Sequence, residues 1–230
     1  MNFNGFQKLT LLDYPGHVAC TLFTAGCNFR CPFCHNASLV THISDSEHYS
    51  EEFVLDYLSK RKGIIDGVCI TGGEPLLHDG LEDFIKKVKN MDYLVKLDTN
   101  GYLPDRLISL VNNGLVDYVA MDIKNSKEKY VLSAGIDSLD ITQIEKSVSF
   151  LLENHVEYEF RTTVVNELHT LQDIESAAEW ISGAQKYFLQ SFTDSGDLIC
   201  DNLSAVETQT IKMMQEVASK YVKNVEIRGI

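Results

Sequence analysis

Short apolar runs and amphipathic segments alternate along the chain. The apolar runs are rich in β-branched and aromatic residues, as buried strands are, and they cover residues 17–24, 66–71, 93–98, 115–121, 157–165 and 186–190. The segments that follow repeat their apolar positions with the helical period, and they cover residues 50–61, 80–89, 105–112, 141–153, 171–181 and 205–221. A strand-like run at 225–228 comes after the last predicted helix.

This alternation of strands and helices contains no linker rich in Pro, Gly or Ser. Strands and helices in regular succession are typical of parallel α/β folds. We therefore predict a partial (β/α)6 TIM-like barrel of parallel strands, which forms one domain over residues 1–230. An apolar segment at residues 9–12 and the turn sequence Asp13-Tyr-Pro-Gly16 precede the first strand.

Polar residues and glycines interrupt the pattern where the first four predicted strands end. These positions are the cysteines after the first strand, Gly72-Gly-Glu74 after the second, Asp98-Thr-Asn100 after the third, and Asp122 with Lys124 after the fourth. Parallel strands bring their carboxyl ends to one rim of a barrel, so these groups are expected to share one pocket. Arg161 lies within the fifth apolar run, where a charge needs a partner.

Three cysteines, Cys27, Cys31 and Cys34, lie within eight residues in a C-x3-C-x2-C pattern. Such spacing predicts a metal site. Closed structural sites normally take four protein ligands, so three cysteines leave one coordination position open for chemistry. An alternative is a zinc module completed by His35 or a distant cysteine, although adjacent Cys34 and His35 could hardly reach one ion without strain.

The remaining cysteines and the net charge further limit the possible functions and partners of the protein. Cys20, Cys69 and Cys200 lie in or beside apolar runs and are interpreted as small buried hydrophobic residues. The 33 acidic and 20 basic side chains give a net charge of −13, which disfavours nucleic acid as a partner. The first residues do not resemble a signal peptide and no apolar run is long enough for a membrane span, so we expect a cytoplasmic protein without a membrane partner.

The motifs together resemble a known family over most of the chain. The cysteine pattern with Phe33 before its last cysteine, followed by Gly72-Gly-Glu-Pro75, is similar to the radical S-adenosylmethionine (SAM) superfamily. Four motifs resemble those of the glycyl-radical-enzyme activases: Asp13-Tyr-Pro-Gly16, Cys34-His-Asn36, Asp98-Thr-Asn-Gly101 and Asp122-Ile-Lys124. The opening segment, residues 5–16, is most similar to activating proteins of the anaerobic ribonucleoside-triphosphate reductase.

This resemblance implies an activity and its cofactors. Cys27, Cys31 and Cys34 would each bind one iron of a [4Fe-4S] cluster, and the amino and carboxylate groups of SAM would bind the fourth. One-electron cleavage of SAM would then give a 5′-deoxyadenosyl radical that takes hydrogen from a glycine of a partner enzyme, with no catalytic residues beyond the cluster ligands. The sequence has no cysteine set for a second cluster, so electrons would come from a flavodoxin or ferredoxin.

The resemblance also implies which residues contact the cofactor: Phe33, Asn36, Gly72, Gly73, Glu74, Asp98, Asn100, Lys124, Arg161 and Gln190. The two glycines would let the backbone approach the methionine part of SAM, and Glu74 would accept from its ammonium group. Asp98 and Asp122 would hold a monovalent cation near the SAM carboxylate, with helix capping or a surface ion pair as the alternative. Gln190 stands where pyruvate formate-lyase activases carry a histidine.

Two other functions remain open from the sequence. One is a radical SAM enzyme that acts on a small molecule, and the other is an activase of a different glycyl radical enzyme, such as pyruvate formate-lyase. The short chain, the single cysteine cluster and the activase motifs favour an activase. A barrel of only six units leaves a wide lateral opening, which a protein loop would need.

Overall fold

The computed structural model describes residues 1–43 and 48–230. Within these ranges the helices are α1 (Ala37–Thr41), α2 (Glu51–Ser59), α3 (Leu81–Lys89), α4 (Pro104–Asn112), α5 (Tyr130–Ala134), α6 (Ile141–Leu152), α7 (Leu171–Trp180) and α8 (Thr208–Ala218). The strands are β1 (Asn2–Phe3), β2 (Gly5–Thr10), β3 (Ala19–Thr24), β4 (Tyr49–Ser50), β5 (Gly67–Gly72), β6 (Leu94–Thr99), β7 (Tyr118–Asp122), β8 (Glu157–Val164), β9 (Lys186–Ser191) and β10 (Asn224–Arg228).

Eight strands form the main sheet, in the order β10-β9-β8-β7-β6-β5-β3-β2. All neighbours pair in parallel except β2, which runs antiparallel to β3. β2 and β10 form the two edges, so the sheet is a partial barrel that does not close. The predicted α/β class and incomplete parallel barrel are confirmed.

Two strands of this sheet go beyond the six predicted strand-helix units. β10 is a seventh parallel strand, held by Arg228, whose guanidinium makes two bonds of 2.9 and 3.0 Å to Glu159 of β8. β2 was missed because three of its six side chains are exposed, so the strand has little of the apolar character used to recognise buried strands.

The helices pack their apolar faces on the sheet. α3, for example, buries Leu81, Phe84, Ile85 and Val88 while Lys86 and Lys87 face solvent. Side chains cap the start of two helices: Ser50 accepts from the Phe53 N–H at α2, and Thr170 and Asp173 form a reciprocal capping box at α7. In the described ranges, none of the helices has the length and apolar character needed to cross a membrane.

The turn Asp13-Tyr-Pro-Gly16 closes the amino-terminal end of the barrel interior. Tyr14 is 3% exposed and packs with Ala19, Cys69 and Tyr118, two of which begin strands. A Cβ on Gly67 would lie 2.8 Å from the Tyr14 ring, so this close approach requires a glycine. With this end filled, the accessible part of the interior lies at the carboxyl ends of the strands.

Candidate active site

A cavity lies at the carboxyl ends of the parallel strands. Its lining includes every predicted site residue except Glu74: Cys27, Cys31, Phe33, Cys34, Asn36, Gly72, Gly73, Asp98, Asn100, Asp122, Lys124, Arg161 and Gln190. These residues come from β5, β6, β7, β8 and β9 and from the loop after β3. Residues far apart in the sequence are thus brought to one pocket, as parallel strand ends require.

The cysteine loop, residues 25–36, is held by backbone bonds from several parts of the chain. The Glu74 N–H donates to the Gly26 carbonyl (2.8 Å), and the Arg30 N–H donates to the Ala134 carbonyl (2.8 Å). The Cys200 N–H donates to the Pro32 carbonyl, between two of the cysteines, over 3.0 Å. These contacts fix the loop without using the cysteine side chains, which remain available to the cavity.

The glycine pair after β5 is needed for packing of the cysteine loop. A Cβ on Gly73 would lie 1.9 Å from the Gly26 carbonyl oxygen, and a Cβ on Gly72 would lie 2.4 Å from the backbone of Thr24. Gly72 also has a φ of +118°, which L side chains rarely adopt. The sequence-based explanation, close approach to a cofactor, was thus incomplete, because contact between two protein loops already excludes a side chain here.

The three thiols of the loop are free and largely buried. Burial raises the pKa of Cys27 to about 12 and that of Cys31 to about 11, so both are protonated in the free protein. The Phe29 N–H lies 3.3 Å from the Cys27 sulfur, and Asn100 Nδ2 lies 3.8 Å from it. Bonds of this kind tune the properties of a bound metal group through the ligand sulfur.

The cysteines suit a multi-iron cluster better than a single ion. Among the described residues, no three His, Cys, Asp or Glu side chains are arranged to hold one metal ion. Three thiols that line one cavity are the ligand set of a cluster in which each cysteine binds a different iron. In addition, the buried Nδ2 of Asn28, beside Cys27, has no hydrogen-bond partner within the protein, and a group bound at the cysteines could satisfy it.

Glu74 does not line the cavity and is only 1% exposed. Its Oε1 accepts from the Leu76 N–H (3.1 Å) and the Thr99 hydroxyl (2.8 Å), and its Oε2 accepts from the Asn100 N–H (2.7 Å). Burial raises the pKa of Glu74 to about 7, against these three bonds. The predicted contact with a cofactor ammonium group is not supported by this geometry. Glu74 instead ties the loop after β5 to the loop after β6.

A row of alternating charges crosses the cavity wall. Lys96 pairs with Asp98 Oδ1, and Arg161 Nη1 lies 3.2 Å from Asp98 Oδ2. The Nε of Arg161 donates to Asp122 Oδ1 over 3.0 Å, and Lys124 Nζ lies 2.9 Å from Asp122 Oδ2. Arg161 therefore has its required partners within the protein. Three cations and two carboxylates give the row a charge of +1.

These ion pairs keep Asp98, Asp122, Lys124 and Arg161 charged. Burial by itself would raise the pKa of each carboxyl group, but Arg161 and Lys96 hold the pKa of Asp98 below its usual value. Lys124 and Arg161 lower the pKa of Asp122 to about 2. The carboxylates in turn raise the pKa of Lys124 and Arg161 above their usual values, although burial opposes this.

The predicted monovalent cation does not fit these residues. Each of the four oxygens of Asp98 and Asp122 already has a side-chain cation as partner. A metal cation between the carboxylates would have to displace Arg161 and would meet its charge at short range. The alternative interpretation, an ion pair, is the one that the structure supports, with the difference that the pairs lie in the cavity wall.

Replacing Asp122 by asparagine should destabilise the protein by about 1–3 kcal/mol at neutral pH, because Lys124 and Arg161 lose a charged partner. The pKa of Asp122 is lowered to about 2 from an ordinary value of 3.8, so its contribution is present above that ordinary value and is lost as pH falls through the lower one. Urea unfolding over this acid range should show the difference between wild type and D122N shrinking.

An exposed ion pair provides the control for this experiment. Asp92 pairs with Lys62 over 2.9 Å, and both side chains are mostly exposed. D92N should leave the free energy of unfolding nearly unchanged at every pH, because solvent screens an exposed ion pair. A difference between wild type and D122N that stays constant as the pH falls would contradict the assigned pairing of Asp122.

Sequence reasoning missed several residues of the site. Lys96 and the cavity residue Thr163 lie two positions from Asp98 and Arg161 on the same strands, so they share a face with them. The period of two along a strand could have identified both. Phe29, His35, Val40, Thr71 and Thr99 also line the cavity. All of these except Val40 lie within two residues of a predicted site residue.

The segment after β9 packs against the cysteine loop. Phe192 stacks on the His35 ring with centroids 5.8 Å apart, and the Ser38 N–H donates to Asp197 over 3.1 Å. Cys200, in the same segment, is exposed, so its interpretation as a buried hydrophobic residue was wrong. Cys20 and Cys69 are buried, as predicted. A residue next to an apolar residue in the sequence can still be exposed to solvent when its segment lies on the surface.

Comparison with known proteins places this fold and site in a family. Residues 21–181, more than half of the chain, match the radical SAM superfamily. The chain therefore belongs to the radical SAM superfamily, whose members use SAM with an iron–sulfur cluster. A relative from Methanocaldococcus jannaschii, named as a glycyl-radical enzyme activating enzyme, is 32% identical over 234 residues, covering 99% of this chain and 95% of that protein. The predicted resemblance to this group is confirmed.

Solved structures share the fold at lower sequence identity. SuiB from Streptococcus suis has a TM-score of 0.71 at 12% identity, covering 91% of this chain and 48% of SuiB. A domain of pyruvate-formate lyase-activating enzyme from Bacteroides vulgatus has a TM-score of 0.57 at 17% identity, covering 71% of this chain and 99% of that domain. At these identities the likeness extends to the fold alone.

Proposed function

We propose that this protein is an activase that forms a glycyl radical on a partner enzyme, using a [4Fe-4S] cluster held by Cys27, Cys31 and Cys34. The observation that carries the proposal is the cavity, in which three free thiols face a cationic row of side chains. The full-length similarity to a protein named as a glycyl-radical enzyme activating enzyme supports the choice of substrate class.

The residues around the cavity have distinct tasks in this proposal. The cysteines hold the cluster, and the cluster with SAM supplies hydrogen-atom abstraction when both are bound. Lys124, at one end of the row, and Arg161, at its centre, attract and orient the SAM carboxylate, since the row has a charge of +1. Phe33 is 4% exposed and keeps water from the cysteines.

The remaining cavity contacts serve the rest of SAM. Asn100, in the loop after β6, and Gln190, in β9, both line the cavity, and Gln190 takes the place of the histidine expected for pyruvate formate-lyase activases. The Asn36 Nδ2 donates to the Gly72 carbonyl over 3.1 Å, which fixes the glycine backbone against which SAM would lie. Positioning is the main contribution of these side chains.

The open edges of the barrel supply a route for a protein substrate. β2 and β10 do not pair with each other, and the amino-terminal end of the interior is filled by Tyr14. A polypeptide loop can therefore approach the cavity only from the carboxyl rim and the lateral opening. The partner we propose is an anaerobic ribonucleotide reductase, with a flavodoxin or ferredoxin as electron donor, in a cytoplasmic protein of one domain.

Electron paramagnetic resonance tests the proposal. The reconstituted protein is mixed anaerobically with SAM, a reductant and a candidate reductase, and a glycyl doublet is expected on the reductase. The matched control is the same mixture with the radical-site glycine of the partner changed to alanine, which should give no doublet. Pyruvate formate-lyase is tested in parallel.

SAM cleavage without a partner separates the class of enzyme from its substrate. Cleavage together with a doublet on the reductase supports the whole proposal. Cleavage with no doublet on any glycyl radical enzyme of the host would contradict the activase function and favour a small-molecule substrate. A colourless protein that holds one zinc and cleaves no SAM would contradict the radical chemistry itself.

A further inference from the structure

Lys96 is a buried cation that adds to the charge of the row but has no contact with SAM in the proposed function. It lies in the middle of β6, its side chain is 2% exposed, and it shares the inner face of the strand with Asp98. Its neighbours across the sheet are Cys69 of β5 and Tyr118 of β7. A lysine in such surroundings is costly unless a carboxylate faces it, and Asp98 is that carboxylate.

The position of Lys96 matters because of what it does to Asp98. With Lys96 on Oδ1 and Arg161 on Oδ2, both oxygens of this carboxylate are paired before any ligand binds. Asp122 is paired in the same manner by Arg161 and Lys124. Without Lys96, the row would hold two cations and two carboxylates, and Asp98 Oδ1 would be a free acceptor in a polar cavity.

We propose that Lys96 is a built-in cation that takes the place of an exchangeable monovalent metal ion beside the SAM site. Lys96 acts as a positioning residue: it neutralises Asp98 and leaves the row with the single positive charge that a bound carboxylate requires. A tethered ammonium group cannot dissociate, so SAM binding is independent of the salt cation. The inference rests on the proposed function only in placing SAM in this cavity.

A fixed cation and a free cation of equal charge differ in what it costs to place them beside Asp98. A potassium or sodium ion would have to be taken from solution, lose water and find an oxygen that is not already paired. Lys96 is fixed to the strand and is already dehydrated, and its alkyl chain lies in the interior of the barrel. Removal of its charge, with the carboxylate left in place, should therefore create a cation requirement that the natural protein lacks.

SAM affinity in different salts tests this inference. The dissociation constant of SAM is measured anaerobically on the reconstituted enzyme in potassium, sodium and tetramethylammonium chloride at about 0.15 M, so that screening is equal. For the wild type we expect values within about twofold of each other. For Lys96→Met we expect about tenfold weaker binding in tetramethylammonium, equivalent to about 1.4 kcal/mol, and recovery of most of the affinity in potassium or sodium.

Three further variants make the result specific. Lys96→Gln keeps a hydrogen-bond donor without the charge and should behave as K96M does, which covers the case that K96M folds poorly. The double variant Lys96→Met/Asp98→Asn removes both charges and should lose the cation dependence. Lys62→Met, which removes an exposed ion pair with Asp92, should bind SAM as the wild type does in all three salts.

Each remaining outcome would overturn the inference. These outcomes are a wild type whose SAM affinity changes strongly with the cation, charge-removed variants that bind SAM normally in every salt, and variants whose lost affinity no cation restores. The measurement uses no partner protein. Failure to form a glycyl radical would therefore refute the activase function without affecting this test.

Discussion

Replacing Cys31 by alanine should remove the [4Fe-4S] cluster and abolish SAM cleavage, while the barrel stays folded. Cys31 lies in the middle of the motif and is the most buried of the three cysteines. Loss of a ligand should exceed the roughly 10–100-fold effects typical of residues that only support ligands. Removal of one buried sulfur should cost about 0.5–3 kcal/mol of folding free energy, which a domain of this size tolerates. Iron content, visible absorbance and methionine release are the measurements.

Two other cysteines serve as matched controls for this variant. Cys200→Ala changes an exposed thiol whose backbone contacts the cysteine loop, and Cys69→Ala changes a buried thiol in the barrel interior. Both should keep the cluster and SAM cleavage. Full iron content in C31A would refute its role as a ligand, and loss of iron in C69A would show that this cysteine is more than a packing residue.

Replacing Gly73 by alanine should disrupt the cluster site, although the added methyl group is far smaller than the cavity. The new Cβ would lie 1.9 Å from the Gly26 carbonyl oxygen, and Gly26 directly precedes Cys27. The neighbour is backbone, so it cannot move aside as a flexible side chain would. We expect a loss of at least about 1–3 kcal/mol of folding free energy, as in overpacked cores, and a reduced iron content after reconstitution.

Gly80→Ala is the control for this prediction. Gly80 has a φ of −78°, and its Cβ would meet only Met1 at 3.6 Å, an ordinary contact. This substitution should leave the cluster intact and change stability by less than about 1 kcal/mol. The packing account of the glycine pair would be contradicted if G73A bound iron normally and unfolded at the wild-type denaturant concentration.

The cluster ligands and the residues that hold the cysteine loop are two different parts of one site. The thiols provide the ligands, and Gly73, Ala134 and the Cys200 backbone provide the frame that holds them. The same division applies on the opposite wall, where Glu74 joins two strand-end loops without entering the cavity. Variants of the frame should therefore disturb the packing of the cysteine loop and lower cluster content with it, whereas variants of the ligands should remove the cluster and leave the contacts of the frame in place.

The sequence by itself determined the strand order along the chain, the parallel architecture and most of the residues that line the cavity. It could do so because the carboxyl ends of parallel strands meet at one rim, so that a polar residue after each apolar run is placed without knowledge of the packing. The cysteine spacing likewise predicted a metal group from three positions alone. Edge strands were predicted less well, because β2 buries little apolar surface.

Only the tertiary structure decided which partner each of these side chains has. Periodicity places Lys96 and Asp98 on one face of β6, but the order and register of the neighbouring strands bring Arg161 beside Asp122 and within reach of Asp98. The glycine pair was recognised in the sequence, whereas its collision with Gly26 depends on how two loops pack. Such contacts join residues distant in the chain at distances of a few ångströms. Local pattern carries no information on that scale.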